Sequence, residues 1–87
     1  MWVDLMKLRI NVRYFALFRE LTGRSEEGVL VEVGSTAGRV YRKLSETYAF
    51  PLGVQDVRVA VNDEFASIEQ HLADGDRVVF IPPVSGG

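Results

Sequence analysis

The 87-residue sequence has no cysteine and one histidine, His71. The first absence removes disulfides, thiolate nucleophiles and cysteine metal sites together. The second leaves no imidazole-based site, because a histidine without a second ligand or a carboxylate at motif spacing makes neither a metal centre nor an acid–base pair. His71, among Ile68, Gln70 and Leu72, reads as a structural or surface residue. No apolar run approaches the roughly 18 residues a membrane span needs, and the N-terminus lacks the basic and apolar regions of a signal peptide. A cytoplasmic protein is expected. The net charge of −2 speaks against a general nucleic-acid binder, which needs a concentrated positive field. Internal repeats, phosphate loops and nucleophile elbows are also missing.

What is present is the composition of one small globular domain, 47% hydrophobic and 25% charged, far from the disordered corner. Proline is scarce, at three residues, yet two of them stand side by side in the ending Pro82-Pro83-Val84-Ser85-Gly86-Gly87. Proline fixes φ and donates no N–H, so Pro82 and Pro83 end the preceding strand and hold the chain extended. Gly86 and Gly87 carry no Cβ and fit a channel too narrow for other residues. Six extended residues reach roughly 20 Å, about the depth of a cleft in another protein. With no cysteine or imidazole site available, the Gly87 carboxylate is the remaining candidate for chemistry.

Residues 1–5 precede the first clear pattern and receive no role. Over residues 6–14, Met6, Leu8, Ile10, Val12 and Tyr14 alternate with Lys7, Arg9, Asn11 and Arg13, the signature of a strand with one buried face. Phe15 falls on the polar parity. Either it belongs to a partner-binding patch or the chain turns into a helix and buries it. Residues 16–22 read as a short helix with Leu17, Phe18 and Leu21 at helical spacing and Gly23 as a left-handed cap. Residues 24–28 read as polar loop, and residues 29–33 as a second strand, antiparallel to the first, with Val29, Val31 and Val33 on one face. Ser35 or Thr36 caps a longer helix whose Ala37, Val40, Tyr41, Leu44 and Tyr48 follow the i, i+3, i+4, i+7 pattern. Arg42 and Glu46 are spaced to pair on its far side, and Phe50-Pro51 ends it.

A third strand over residues 57–61 leads to a turn at Asn62-Asp63-Glu64, with Phe65 beside it. Residues 67–72 offer at most a helical turn. Asp74-Gly75-Asp76 is a strong turn signal that opens the last strand, residues 77–81. Val78 and Phe80 face the core, which leaves Val79 and Ile81 outside. An outer face carrying Val79, Ile81, and with them Phe15 and Phe65, is more apolar than a monomer requires, so it is the predicted interface. The expected class is α+β, a mixed sheet covered on one face by helix. Its order resembles the β-grasp fold of ubiquitin, with the domain at residues 6–81 and a free tail at residues 82–87.

Two stretches, VRYFALFRELTG (residues 12–23) and VNDEFASIEQHLADGDRVVFIPPVSGG (residues 61–87), resemble the MoaD family, the sulfur-carrying small subunits of molybdopterin synthase. The ending DGD-x-V-x-F-x-PPVSGG is the most specific part. The thiamin sulfur carriers share the fold and diglycine but are typically shorter and lack the helix after strand one. The resemblance implies that a ubiquitin-activating-type adenylyltransferase uses ATP and Mg²⁺ to convert Gly87 to an acyl-adenylate, and that a sulfur donor enzyme then makes a thiocarboxylate. Inserted into the large subunit, in a heterotetramer of two small and two large chains, the tail donates sulfur to cyclic pyranopterin monophosphate. No cofactor is held permanently, and only the complex is an enzyme. By the same resemblance Phe15, Phe65 and Ile81 pack against the large subunit. Arg19 matches a position that meets partners, though it also reads as an ordinary exposed helix residue. Three other readings stay open: a ubiquitin-like protein modifier, a carrier for thiamin or transfer RNA thiolation, and an interaction domain with an inert terminus.

Overall fold

A computed structural model describes residues 6–83. The expectations for residues 1–5 and for Val84, Ser85, Gly86 and Gly87 lie outside the described residues. Strand β1, Lys7–Arg13, is followed by helix α1, Ala16–Thr22, strand β2, Glu26–Glu32, and helix α2, Ala37–Tyr48. A 3-10 turn at Val54–Asp56 leads to β3, Arg58–Val61, β4, Glu64–Ala66, and β5, Arg77–Ile81. The five strands form one sheet in the order β2-β1-β5-β3-β4. The β1–β5 pair is parallel and the other pairs are antiparallel. The last strand is therefore central, as expected for a β-grasp domain.

The period-2 pattern of the strands decides which face is dry. Ile10, Val12, Val59, Val78 and Phe80 are buried on one face, against Val40, Tyr41 and Leu44 of α2. Each such side chain contributes about 1.5–3 kcal/mol by leaving water. Phe18 of α1 completes the layer edge-on to Tyr41 and Phe50, at ring-centroid distances of 6.0 and 4.9 Å. Thr36 caps α2, its hydroxyl accepting from the Arg39 N–H at 3.2 Å. The next free N–H groups find carbonyls outside the helix, Ala37 on Gln70 at 3.0 Å and Gly38 on Ile68 at 2.7 Å. This fastens residues 68–72 across the helix start.

Several local expectations need correction. The stretch read as polar loop is half strand, because β2 starts at Glu26, opposite Arg13. Its polar appearance comes from Glu27, which points inward opposite Val12 and is accommodated by two phenols described below. Val33 lies beyond β2 and is exposed, as are Met6 and Leu21. The ion pairs among the described residues are Arg24–Glu27, Arg39–Glu32 and Arg77–Asp63. Arg42 and Glu46 do not pair, since water competes equally for two exposed side chains. The turn is tighter than expected. Only Asn62 and Asp63 occupy it, at φ 52° and 72°, so Glu64, Phe65 and Ala66 form a fifth strand. A two-residue hairpin turn requires positive φ at both positions, which asparagine and aspartate tolerate.

Candidate functional site

The sheet face opposite the helix is the candidate site. Pleating turns Val79 and Ile81 to this face because Val78 and Phe80 are in the core. The strand register then fixes their neighbours. Val79 lies opposite Ala60 on β3, Ala60 opposite Phe65 on β4, and Val79 is also paired with Arg13 on β1. Phe65, Ala60, Val79 and Arg13 thus form one row across four strands. Ile81 starts the next row, opposite Arg58. Phe65 is a strand residue, not a turn residue, and is 75% exposed.

Phe15 also stands outward, 54% exposed, so the short helix does not bury it. The reason is local. Ala16 takes the left-handed region at φ 48°, reversing the chain so that Phe18, not Phe15, enters the core. Because β1 and β5 are parallel with Arg13 beside Val79, Phe15 and Ile81 leave the sheet at the same end. Arg19 is exposed on α1 and shares a depression of about 250 Å³ with Arg13, Phe15 and Glu26. Phe65 sits at the opposite edge of the sheet, two strands from β5. The structure therefore places Val79, Ala60 and Phe65 side by side on one face, with Ile81 and Phe15 at the end that leads to Pro82. Pro82 is half-buried and Pro83 exposed.

Strand β5 is a rigid origin for that tail. At its start the Asp76 carboxylate accepts from Asn62 Nδ2 at 2.9 Å and from the Ala73 N–H at 2.8 Å. The Arg77 N–H donates to Asn62 Oδ1 at 2.9 Å, and the Asn62 N–H to the Arg77 carbonyl at 2.8 Å. Asp74 Oδ1 accepts from the Arg9 N–H at 2.7 Å. The Asp74-Gly75-Asp76 turn is thereby tied to β1 and to the β3–β4 hairpin at once.

A second polar cluster holds the other side. Glu27 Oε1 accepts from both Tyr14 Oη at 2.9 Å and Tyr48 Oη at 2.8 Å, joining β2 to β1 and α2. Burial, then the bond to Glu27 and its charge, pushes the Tyr14 phenol far above its ordinary value. Tyr48 is raised first through its bond to Glu27 and then by burial. Tyr41 is raised by burial and by the charge of Asp56, and its hydroxyl donates to the Leu52 carbonyl at 2.8 Å. All three phenols are hydrogen-bond donors held in the protonated form. Among the described residues no three of His, Asp and Glu converge as metal ligands. His71 is exposed and forms an isolated bridge with Thr36.

In these two rows, Ala60, Arg13 and Arg58 are the residues that sequence reasoning did not assign to the site. Parity alone held the signal, since Val57, Val59 and Val61 inward imply Arg58 and Ala60 outward. The row itself requires the register, which depends on where β4 begins.

Comparisons with known proteins agree with this architecture. The ThiS family matches residues 12–87. The molybdopterin synthase sulfur carrier subunit of Mycobacterium tuberculosis is 37% identical over 82 residues, covering 92% of this chain and 99% of that protein. Among solved structures, a Haloferax volcanii protein studied in solution is 29% identical with a TM-score of 0.80, covering 94% of this chain and 89% of that one. The small archaeal modifier protein 1 of the same organism is 26% identical with a TM-score of 0.75, over 91% and 99% of the two chains.

Proposed function

Because this chain belongs to the ThiS family, in company with the molybdopterin synthase sulfur carrier subunits, we propose that it carries sulfur for molybdenum-cofactor biosynthesis as the small subunit of a molybdopterin synthase. The observation that carries this reading is the apolar row Phe65–Ala60–Val79, which crosses from β4 through β3 to β5, the strand followed in sequence without a linker by Pro82-Pro83-Val84-Ser85-Gly86-Gly87. A face that docks and a tail that reaches are the two parts a carrier needs.

The chemistry proceeds at Gly87. A carboxylate is a poor electrophile, so an adenylating partner uses ATP and Mg²⁺ to form an acyl-adenylate, releasing pyrophosphate. A sulfur donor then displaces AMP and leaves a thiocarboxylate, ionised and nucleophilic at neutral pH without any cysteine in the chain. The large subunit receives the tail, the thiocarboxylate sulfur bonds to cyclic pyranopterin monophosphate, and water cleaves the acyl–sulfur bond, returning Gly87 to its carboxylate. Gly86 and Gly87 allow the narrow approach, while Pro82 and Pro83 keep the tail extended. Val84 and Ser85 join the prolines to the diglycine in sequence. Phe15, Phe65, Val79 and Ile81 pack on the large subunit, with Arg19 at the rim.

Adding one residue after Gly87 is expected to abolish sulfur transfer while leaving circular dichroism and melting unchanged, because the free carboxylate is displaced from its reach. Full activity of the extended chain in a reconstituted synthase would contradict the proposal. The likeness to the small archaeal modifier protein favours one second reading, in which the same adenylate passes Gly87 to a lysine of a target protein. That reading predicts a ladder of covalent conjugates that disappears on deletion of Gly86 and Gly87.

A further inference from the structure

The outer sheet face has a charge sign opposite to that of the chain. Its charged strand residues are Lys7, Arg9, Arg13, Arg58 and Arg77 against Glu26 and Glu32, in a protein of net charge −2. The acids on this face are already engaged, Glu26 by Asn11 Nδ2 at 3.1 Å and Glu32 by Arg39 at 2.9 Å. Arg77 is paired with Asp63 at 2.7 Å. Arg13 and Arg58 are exposed, and neither enters an ion pair among the described residues. Their positions are specific: Arg13 lies beside Val79 and Arg58 opposite Ile81, on either side of β5.

Two strand spacings and a two-residue offset place their backbones roughly 12 Å apart, astride the strand that leads into the tail. An apolar centre flanked by two unpaired guanidinium groups selects a protein surface with an apolar depression and carboxylates on its rim. A phosphate backbone would leave Ala60, Val79, Ile81 and Phe65 uncovered, since it offers no apolar surface to meet them. We infer that Arg13 and Arg58 steer and register this face on an acidic-rimmed surface of the large subunit, setting which way the tail enters. This inference rests on the synthase reading above. Arginine suits the role, because its planar fork meets a carboxylate in two parallel hydrogen bonds and so fixes orientation as well as charge.

Steering acts on association more than on dissociation and is screened by salt. The test uses the full-length chain and the purified large subunit, with association and dissociation rates measured by stopped flow across ionic strength. Arg13→Glu with Arg58→Glu is expected to slow association about tenfold or more at low salt. The variant and the wild type are expected to converge by about 0.5 M salt, where the screening length is only a few Å. Arg42→Glu, a charge reversal on the far face of α2, is expected to leave the rate near wild type. Equal association rates and salt slopes for wild type and the double variant would overturn the inference while leaving the carrier reading intact, as would an equal slowing by Arg42→Glu. Loss of duplex-DNA binding in the double variant, with unchanged large-subunit kinetics, would overturn it in favour of a nucleic-acid surface. A wild-type chain that does not bind the large subunit at all would overturn both readings.

Discussion

At the scale of single residues, two side chains separate function from folding. Phe65 is three-quarters exposed on an edge strand, so its removal costs the isolated domain little. In the proposed complex it is an aromatic anchor, of the kind that dominates interface energy. Phe65→Asp is expected to weaken large-subunit binding by about 2–4 kcal/mol with no change in melting temperature; calorimetric titration showing unchanged affinity would remove Phe65 from the interface. Tyr14 is the converse case, a buried donor to Glu27. In the unfolded chain its phenol ionises near pH 10, whereas the folded protein holds the proton to higher pH. The unfolded state therefore loses protons first, and the stability from this group, complete below about pH 10, falls as the pH rises beyond it. Urea denaturation at about pH 8 and pH 11 is expected to show this alkaline loss, and Tyr14→Phe to show a smaller one. An identical loss in Tyr14→Phe would assign the effect to other groups. Phe15 and Phe65 were legible as outliers of the sequence pattern, but Glu27 was not. A glutamate that faces inward between two tyrosines from distant elements looks, in sequence, like the loop it resembles in composition.

At the scale of elements, the chain signals its strands and helices by period and its errors fall where register decides. Residues 6–14 alternate without exception, and α2 repeats at helical spacing, so both were readable. Strand β4 is only three residues long, too short to show a period, and it exists because Asn62 and Asp63 together accept positive φ and return the chain onto β3. The loop at residues 68–72 was equally opaque, since its role is to offer carbonyls to the start of α2. That contact leaves no room at Gly38, where a Cβ would stand 3.0 Å from the Ile68 carbonyl oxygen. The same oxygen accepts the Gly38 N–H at 2.7 Å, so it cannot retreat without breaking a bond. Gly38→Val is accordingly expected to destabilise the fold by about 2 kcal/mol, read as a lowered denaturation midpoint. A midpoint equal to wild type would mean that the 68–72 segment moves freely away from the helix.

At the scale of the whole molecule, the placement of β5 unites fold and function. A strand added last in sequence but central in the sheet is held from both sides, by β1 and by β3, and so its end is a fixed point of the molecule. The sequence announced that end through its double proline and diglycine, and the resemblance supplied the topology that makes the end central. What neither supplied was the row from Phe65 to Arg13, a property of four strands in register. The division of labour follows from size. A domain of 87 residues has little interior beyond its one core, and in the proposed reading it contributes a reagent and a docking face, leaving to its partners the groups that activate it and receive its sulfur.

The most direct test of that account is intact mass spectrometry of the purified chain after incubation with the adenylating enzyme of its host, ATP, Mg²⁺ and a sulfur donor. The account predicts a mass gain equal to the exchange of one oxygen for one sulfur, localised by fragmentation to Gly87 and absent when ATP is omitted. An unchanged mass, with the same adenylating enzyme active on another carrier, would contradict sulfur carriage at this terminus.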